Sequence, residues 1–171
     1  MKKSVVILFL IPIAMACSVG NGNEERNIAL IESYVQAVEN MDYDAMETYL
    51  DDSYIGMGPS YGDSIGKVAA IENWKNNVEN LYERIHYNRS RNIAISITSG
   101  DNQGEWVSNW GELNIKYKGD IGEVNLWANS IYQIENGKIV KSYTFYNEAD
   151  AMEQLGYVFI NLKVRRPHCL I

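Results

Sequence analysis

The stretch Asn136–Gly156, NGKIVKSYTFYNEADAMEQLG, joins a turn, a strand and a short capped helix. Asn136-Gly137 predicts a two-residue hairpin turn, because a type I′ turn needs positive φ at both central positions. Ile139 to Tyr146 follows as a β-branched and aromatic strand. Asn147 is suited to cap the helix after it, Glu148 and Asp150 are favoured in its first turn by the helix dipole, and Gly156 can end it. The strand therefore delivers polar side chains to one end of a sheet, where a site is to be sought.

Working outward from the turn, the pairing of Glu135 with Lys138 sets Ile134 against Ile139, Ser130 against Tyr143 and Leu126 against Asn147. A loop over Lys118–Gly122 pairs Tyr117 with Glu123, which sets Trp110 against Ser130 and Glu112 against Ala128. On this register Trp106, Trp110, Glu112, Asn114, Ser130, Tyr143, Phe145 and Asn147 share one face. Leu113, Ile115, Trp127, Ile131, Val140 and Tyr146 share the other. Neither face is polar, so helices are expected over one and a partner chain over the other.

Upstream, Ile28, Ile31, Val35 and Val38 recur at helical spacing and predict a first helix to about Asn40. Asp44-x-x-Glu47 resembles a capping box opening a short second helix through Leu50. Tyr54–Met57 reads as a brief strand ended by Gly58-Pro59. Val68, Ile71, Val78, Leu81 and Ile85 mark a third helix over 65–84, with Ser64 as its cap. At Ile93, Ile95 and Ile97 the period becomes two, and strands follow over 105–117 and 123–134. Helices followed by an antiparallel meander define an α+β chain.

The 171 residues suit one domain with a leader, and 46% apolar residues fit a globular chain. A formal charge of −7 argues against nucleic acid or an anionic membrane surface as partner. Cys17 and Cys169 form no disulfide framework, and with only His86 and His168 no Cys/His metal spacing exists. No cofactor or metal is expected. Lys2, Lys3 and the apolar run Val5–Ile13 before Ala14-Met15-Ala16-Cys17 describe a secretory signal peptide, too short for the roughly 20 residues of a membrane span. The Cys after Ala-Met-Ala resembles a bacterial lipoprotein signal, which implies a lipid on Cys17 and a cell-envelope location. Plain cleavage after Ala16, giving a secreted or periplasmic chain, is the alternative. The expected division is signal peptide 1–16, flexible tether 17–26, folded domain 27–160 and a basic tail 161–171.

Gly137-Lys138-Ile139, the aromatic run Tyr143–Tyr146, Asn147 and Gln154-Leu155-Gly156, preceded by three helices, resemble the SnoaL-like, polyketide-cyclase-like branch of the nuclear transport factor 2-like superfamily. The resemblance spans residues 27–160. It implies a cone of three helices against a curved, mostly antiparallel sheet, a pocket at its mouth, a short C-terminal helix and dimerisation through the sheet. Where the cyclases often carry an acid/base Asp this chain has Asn147, and an amide orients a ligand without exchanging a proton near neutrality.

Glu112 between Trp110 and Asn114 is one candidate general base; the alternatives are an edge-strand carboxylate reaching solvent and an ion pair with Lys141 or an Arg. Asp150 is a second catalytic candidate, with helix capping as its other reading. Trp74, Trp110, Ser130, Tyr143 and Asn147 are the candidate ligand-binding residues. Gly62-Asp63-Ser64-Ile65-Gly66 matches a nucleophile elbow in letters but lacks a positioned histidine. His86 reads as structural or exposed. Asn88-Arg89-Ser90 is an incidental glycosylation pattern. These features favour an envelope-anchored domain binding a small apolar or aromatic molecule. The alternatives are an isomerase, cyclase or dehydratase using pocket carboxylates, and a non-catalytic assembly module pairing through the outer sheet face.

Overall fold

The computed structural model describes residues 21–160. The expected signal peptide, Cys17 and the tail after Ile160 lie outside them. Four helices and six strands follow in chain order: α1 (Asn21–Glu39), α2 (Tyr43–Tyr49), β1 (Leu50–Met57), β2 (Ser64–Gly66), α3 (Lys67–Asn80), β3 (Tyr82–Ile97), β4 (Gly104–Tyr117), β5 (Gly122–Glu135), β6 (Lys138–Tyr146) and α4 (Glu148–Gln154). The strands form one open sheet in the order β2-β1-β6-β5-β4-β3. Only β1 and β6 run parallel; the other neighbours are antiparallel. The architecture is the expected α+β arrangement of three helices, a mostly antiparallel sheet and a short C-terminal helix.

Ile31, Tyr34, Val35 and Val38 place one stripe of α1 on the sheet, where they join Met46, Val107, Tyr132, Ile134 and Ile139 in the larger core. A second core gathers Ile85, Leu113, Val124 and Leu126 under Ala151 of α4. Trp74 of α3 packs against both. The helices thus cover one sheet face. The opposite face leaves Trp127 71% and Trp110 50% exposed.

Local signals hold where a turn or cap sets them. Asn136 and Gly137 take φ values of 52° and 75°, as a type I′ turn requires, and Glu135 pairs with Lys138. Asn147 Oδ1 accepts the Asp150 N–H at 3.2 Å, capping α4. Gly156, at φ +85°, closes the helix. Its N–H reaches the Glu153 carbonyl at 2.9 Å and that of Tyr157 reaches Met152 at 3.0 Å, the paired bonds of a Schellman ending.

Several boundaries differ from expectation. Asp42, not Asp44, caps α2, its side chain accepting from the Ala45 N–H at 2.9 Å. Ser64 lies in β2 and Gly66 stands at the N-cap of α3. That helix stops at Asn80, because Tyr82–Ile97 extends the sheet by pairing with β4 along nearly its whole length. Long-range pairing there overrides a helical spacing of apolar residues.

The sheet register also departs by one residue on both sides of β5. Tyr117 pairs with Gly122, so Trp110 faces Asn129 and Glu112 faces Trp127. A bulge between Gln133 and Ile134 on one side and Lys141 and Ile139 on the other leaves Val140 as the extra residue of β6. Beyond it Ser130 pairs with Thr144 and Ile131 with Tyr143. Side chains alternate across a strand, so each one-residue slip exchanges the two faces.

Candidate functional site

A cavity of about 480 Å³ lies between α1, α3 and α4 and the helix-covered face of the sheet. Alternate residues point into it: 113, 115 and 117 of β4, 126 to 132 of β5 in steps of two, and 142, 144 and 146 of β6. Leu113, Ile115, Leu126 and Ala128 supply apolar wall, and Ile121, Leu155 and Tyr157 lie toward its exposed end. Tyr82 stands between Trp74 (ring centroids 6.3 Å apart) and Tyr117 (5.6 Å) in that same half.

The buried half is hydroxyl-rich. Tyr54 and Ser142 share a 2.7 Å hydrogen bond, and Ser130 and Thr144 share one at 3.1 Å. Tyr34 meets Tyr132 edge-on at 5.6 Å. Burial pushes the Tyr132 phenol up to about 12 and the Tyr34 phenol well above its ordinary range, with neighbouring phenols adding to the latter. Burial likewise raises Tyr87 and lifts Tyr82 to about 12. These groups stay protonated and neutral near pH 7 and act as hydrogen-bond donors and acceptors.

One amide helps to hold α4 over the cavity. β6 leaves the sheet after Tyr146, which pairs with Ala128, so the β5 backbone beyond has no strand on that side. Gln154 takes over there: its Nε2 donates to the Asn125 carbonyl at 2.8 Å and its Oε1 accepts the Asn125 N–H at 2.9 Å. Leu155 then points into the cavity.

Of the residues singled out from sequence, Trp74 and Ser130 line the cavity. Trp110, Glu112 and Tyr143 sit on the other face of the sheet. There Glu112 Oε2 lies 3.6 Å from Arg89 Nε, and Tyr143 stacks between Trp106 and Phe145 at 6.2 and 6.5 Å. Asn147 serves the cap, and the Asp150 carboxylate accepts from Gln154 Nε2 at 2.9 Å along α4, so neither belongs to the lining. His86 Nδ1 lies 2.6 Å from Glu39 Oε1, which also accepts the Tyr87 N–H at 3.1 Å and ties α1 to β3. Among the described residues the cavity's one carboxylate is Glu148, exposed at the rim, and no Lys, Arg or His lines it. Among the described residues no His/Cys/Asp/Glu group is arranged to hold a metal ion.

Tyr34, Tyr54, Tyr132 and Ser142 also line the cavity, none of them singled out individually from the sequence. Tyr34 carried a usable signal, since it falls on the buried stripe of α1 between Ile31 and Val38. Tyr54 carried none, because its cavity partner Ser142 is 88 residues away in the chain.

The architecture is the nuclear transport factor 2-like fold in the form seen in SnoaL-like proteins. A proposed polyketide cyclase from Xanthomonas campestris superposes over 78% of this chain and 98% of its own, with 18% identity and a TM-score of 0.63. A proposed SnoaL-like polyketide cyclase from Shewanella denitrificans matches 75% of this chain and 96% of its own at 13% identity and a TM-score of 0.59. An epoxide hydrolase of the LEH-like kind from M. tuberculosis matches 78% and 91% at 14% identity and a TM-score of 0.59. No protein-family model matches the sequence, and neither does any curated protein.

Proposed function

We propose that this chain is a small-molecule-binding domain held at the cell envelope by a lipid on Cys17. The observation that carries the binding reading is the cavity itself. At about 480 Å³, walled by aliphatic side chains and neutral phenols, it has the size and character of a ligand site for a mostly apolar molecule. Its solved structural relatives include proposed cyclases and an epoxide hydrolase, which fits a fold used to enclose small molecules. Binding of the uncharged dye Nile red, followed by its fluorescence, tests this. Ala128→Trp should fill the cavity and abolish the signal while far-UV circular dichroism is retained. Undiminished dye binding by the folded variant would sink the reading.

The anchor rests on the leader sequence, Lys2 to Cys17. Mass spectrometry of membrane fractions should find Cys17 acylated; an unmodified soluble chain beginning there would refute it. A catalytic alternative, an isomerase, cyclase or dehydratase in the same cavity, has one observation in its favour. Glu148 places a carboxylate at the rim, beside Tyr117 and Tyr146, whose phenols are raised by burial and further by that carboxylate. On that reading Glu148→Gln abolishes turnover while Nile red still binds.

A further inference from the structure

We infer that the ligand is an uncharged, largely hydrocarbon molecule with a hydroxyl or carbonyl oxygen at the end that enters the cavity first. This rests on the binding reading above and narrows it to a chemical class. Leu126, Ala128, Ser130 and Tyr132 follow one another on the cavity face of β5, and the last three pair with Tyr146, Thr144 and Ser142 of β6. Each step of two residues advances about 6.6 Å, so over about 20 Å the lining changes from aliphatic side chains and aromatic rings, among them Tyr82, Tyr117 and Tyr146, to a cluster of hydroxyls.

That cluster can satisfy one kind of head group. Its members, Tyr54 with Ser142, Ser130 with Thr144, and Tyr132 beside Tyr34, are all neutral hydroxyls. Each can donate or accept, which suits an alcohol or a carbonyl equally. Among the described residues an anionic head group meets no cation in the lining, and it must pass Glu148 at the rim. In a site this buried, an unpaired carboxylate is strongly disfavoured. An ammonium head group fares no better at the buried end, because burial holds the Tyr34 and Tyr132 phenols protonated and no carboxylate faces them.

Matched probes test the inference. Isothermal titration of the full chain at pH 7.5 with 1-decanol and with decanoate, below their aggregation limits, compares head groups on one hydrocarbon. Decanol should bind at least about tenfold tighter. Tyr54→Phe combined with Ser142→Ala removes two hydroxyls with little change of shape and should erase most of that preference by weakening decanol alone. Decanoate binding as tightly as decanol, or an unchanged preference in the Tyr54→Phe, Ser142→Ala variant, overturns the inference and leaves the binding reading intact. Binding of neither probe, together with loss of Nile red binding in the unmutated chain, defeats the binding reading and this inference with it.

Discussion

At the scale of single residues the site is governed by which group is buried and which is merely nearby. Tyr132 and Tyr82 are raised to about 12 by burial, while the unfolded chain titrates tyrosine near 10. Between those values the folded protein holds more protons than the unfolded one, so their contribution to stability is complete below about pH 10 and falls as pH rises toward 12. The midpoint of thermal unfolding should therefore drop steeply above about pH 10. Absorbance at 295 nm should show a late-titrating group of tyrosines; a single transition near pH 10 would contradict their burial. Glu112 is the opposite case. A half-exposed carboxylate beside Arg89 on the outer face contributes at most about 1 kcal/mol and does not touch the cavity. Glu112→Gln should leave Nile red affinity unchanged within error, and a loss of several-fold would mean the outer face communicates with the site.

At the scale of elements, α4 is the part on which the cavity depends most and the one with the least of its own to hold it. Seven residues cannot sustain a helix in isolation. Its cap, its Schellman ending and the Gln154 amide on Asn125 act together with Ala151 and Leu155 in the second core. Asn147→Ala should cost about 1 kcal/mol, read as a lowered midpoint in urea. Gln154→Leu leaves the Asn125 backbone groups without partners, and ligand affinity should fall more than global stability does. Equal losses in both would show that α4 unfolds only with the whole domain. The hairpin is equally local: Gly137→Val at φ +75° should destabilise by about 1–2 kcal/mol, measured by the same denaturation.

At the scale of the whole molecule, the two sheet faces divide the work. Helices and the cavity take one. The other presents Trp127, Trp110 and Phe145 with Ile93 and Ile95, all exposed, across four adjacent strands. Apolar side chains gathered in this way mark an interaction surface, and a second copy of the chain is the partner we propose for it. Light scattering at micromolar concentration should give twice the chain mass, and Trp127→Glu should restore the monomer. A monomeric unmutated protein would remove the proposal without affecting the cavity, which one chain completes by itself.

What was legible in the sequence is what short-range chemistry decides. Asn136-Gly137 made its turn, Asn147 its cap and Gly156 its ending, because φ preferences and capping bonds act within a few residues. The order of helices and strands, β2 excepted, followed from hydrophobic period. Which face each strand residue occupies was decided only in the tertiary structure. A four-residue loop at 118–121 and the bulge at Val140 each slip the register by one. Those slips turned Trp110, Glu112 and Tyr143 away from the cavity and brought in Ser142 and Thr144. Turn geometry fixes the first pair of a hairpin, but a bulge adds one residue at a point chosen by packing between strands. With a side-chain period of two, that single residue settles which set of groups a ligand meets.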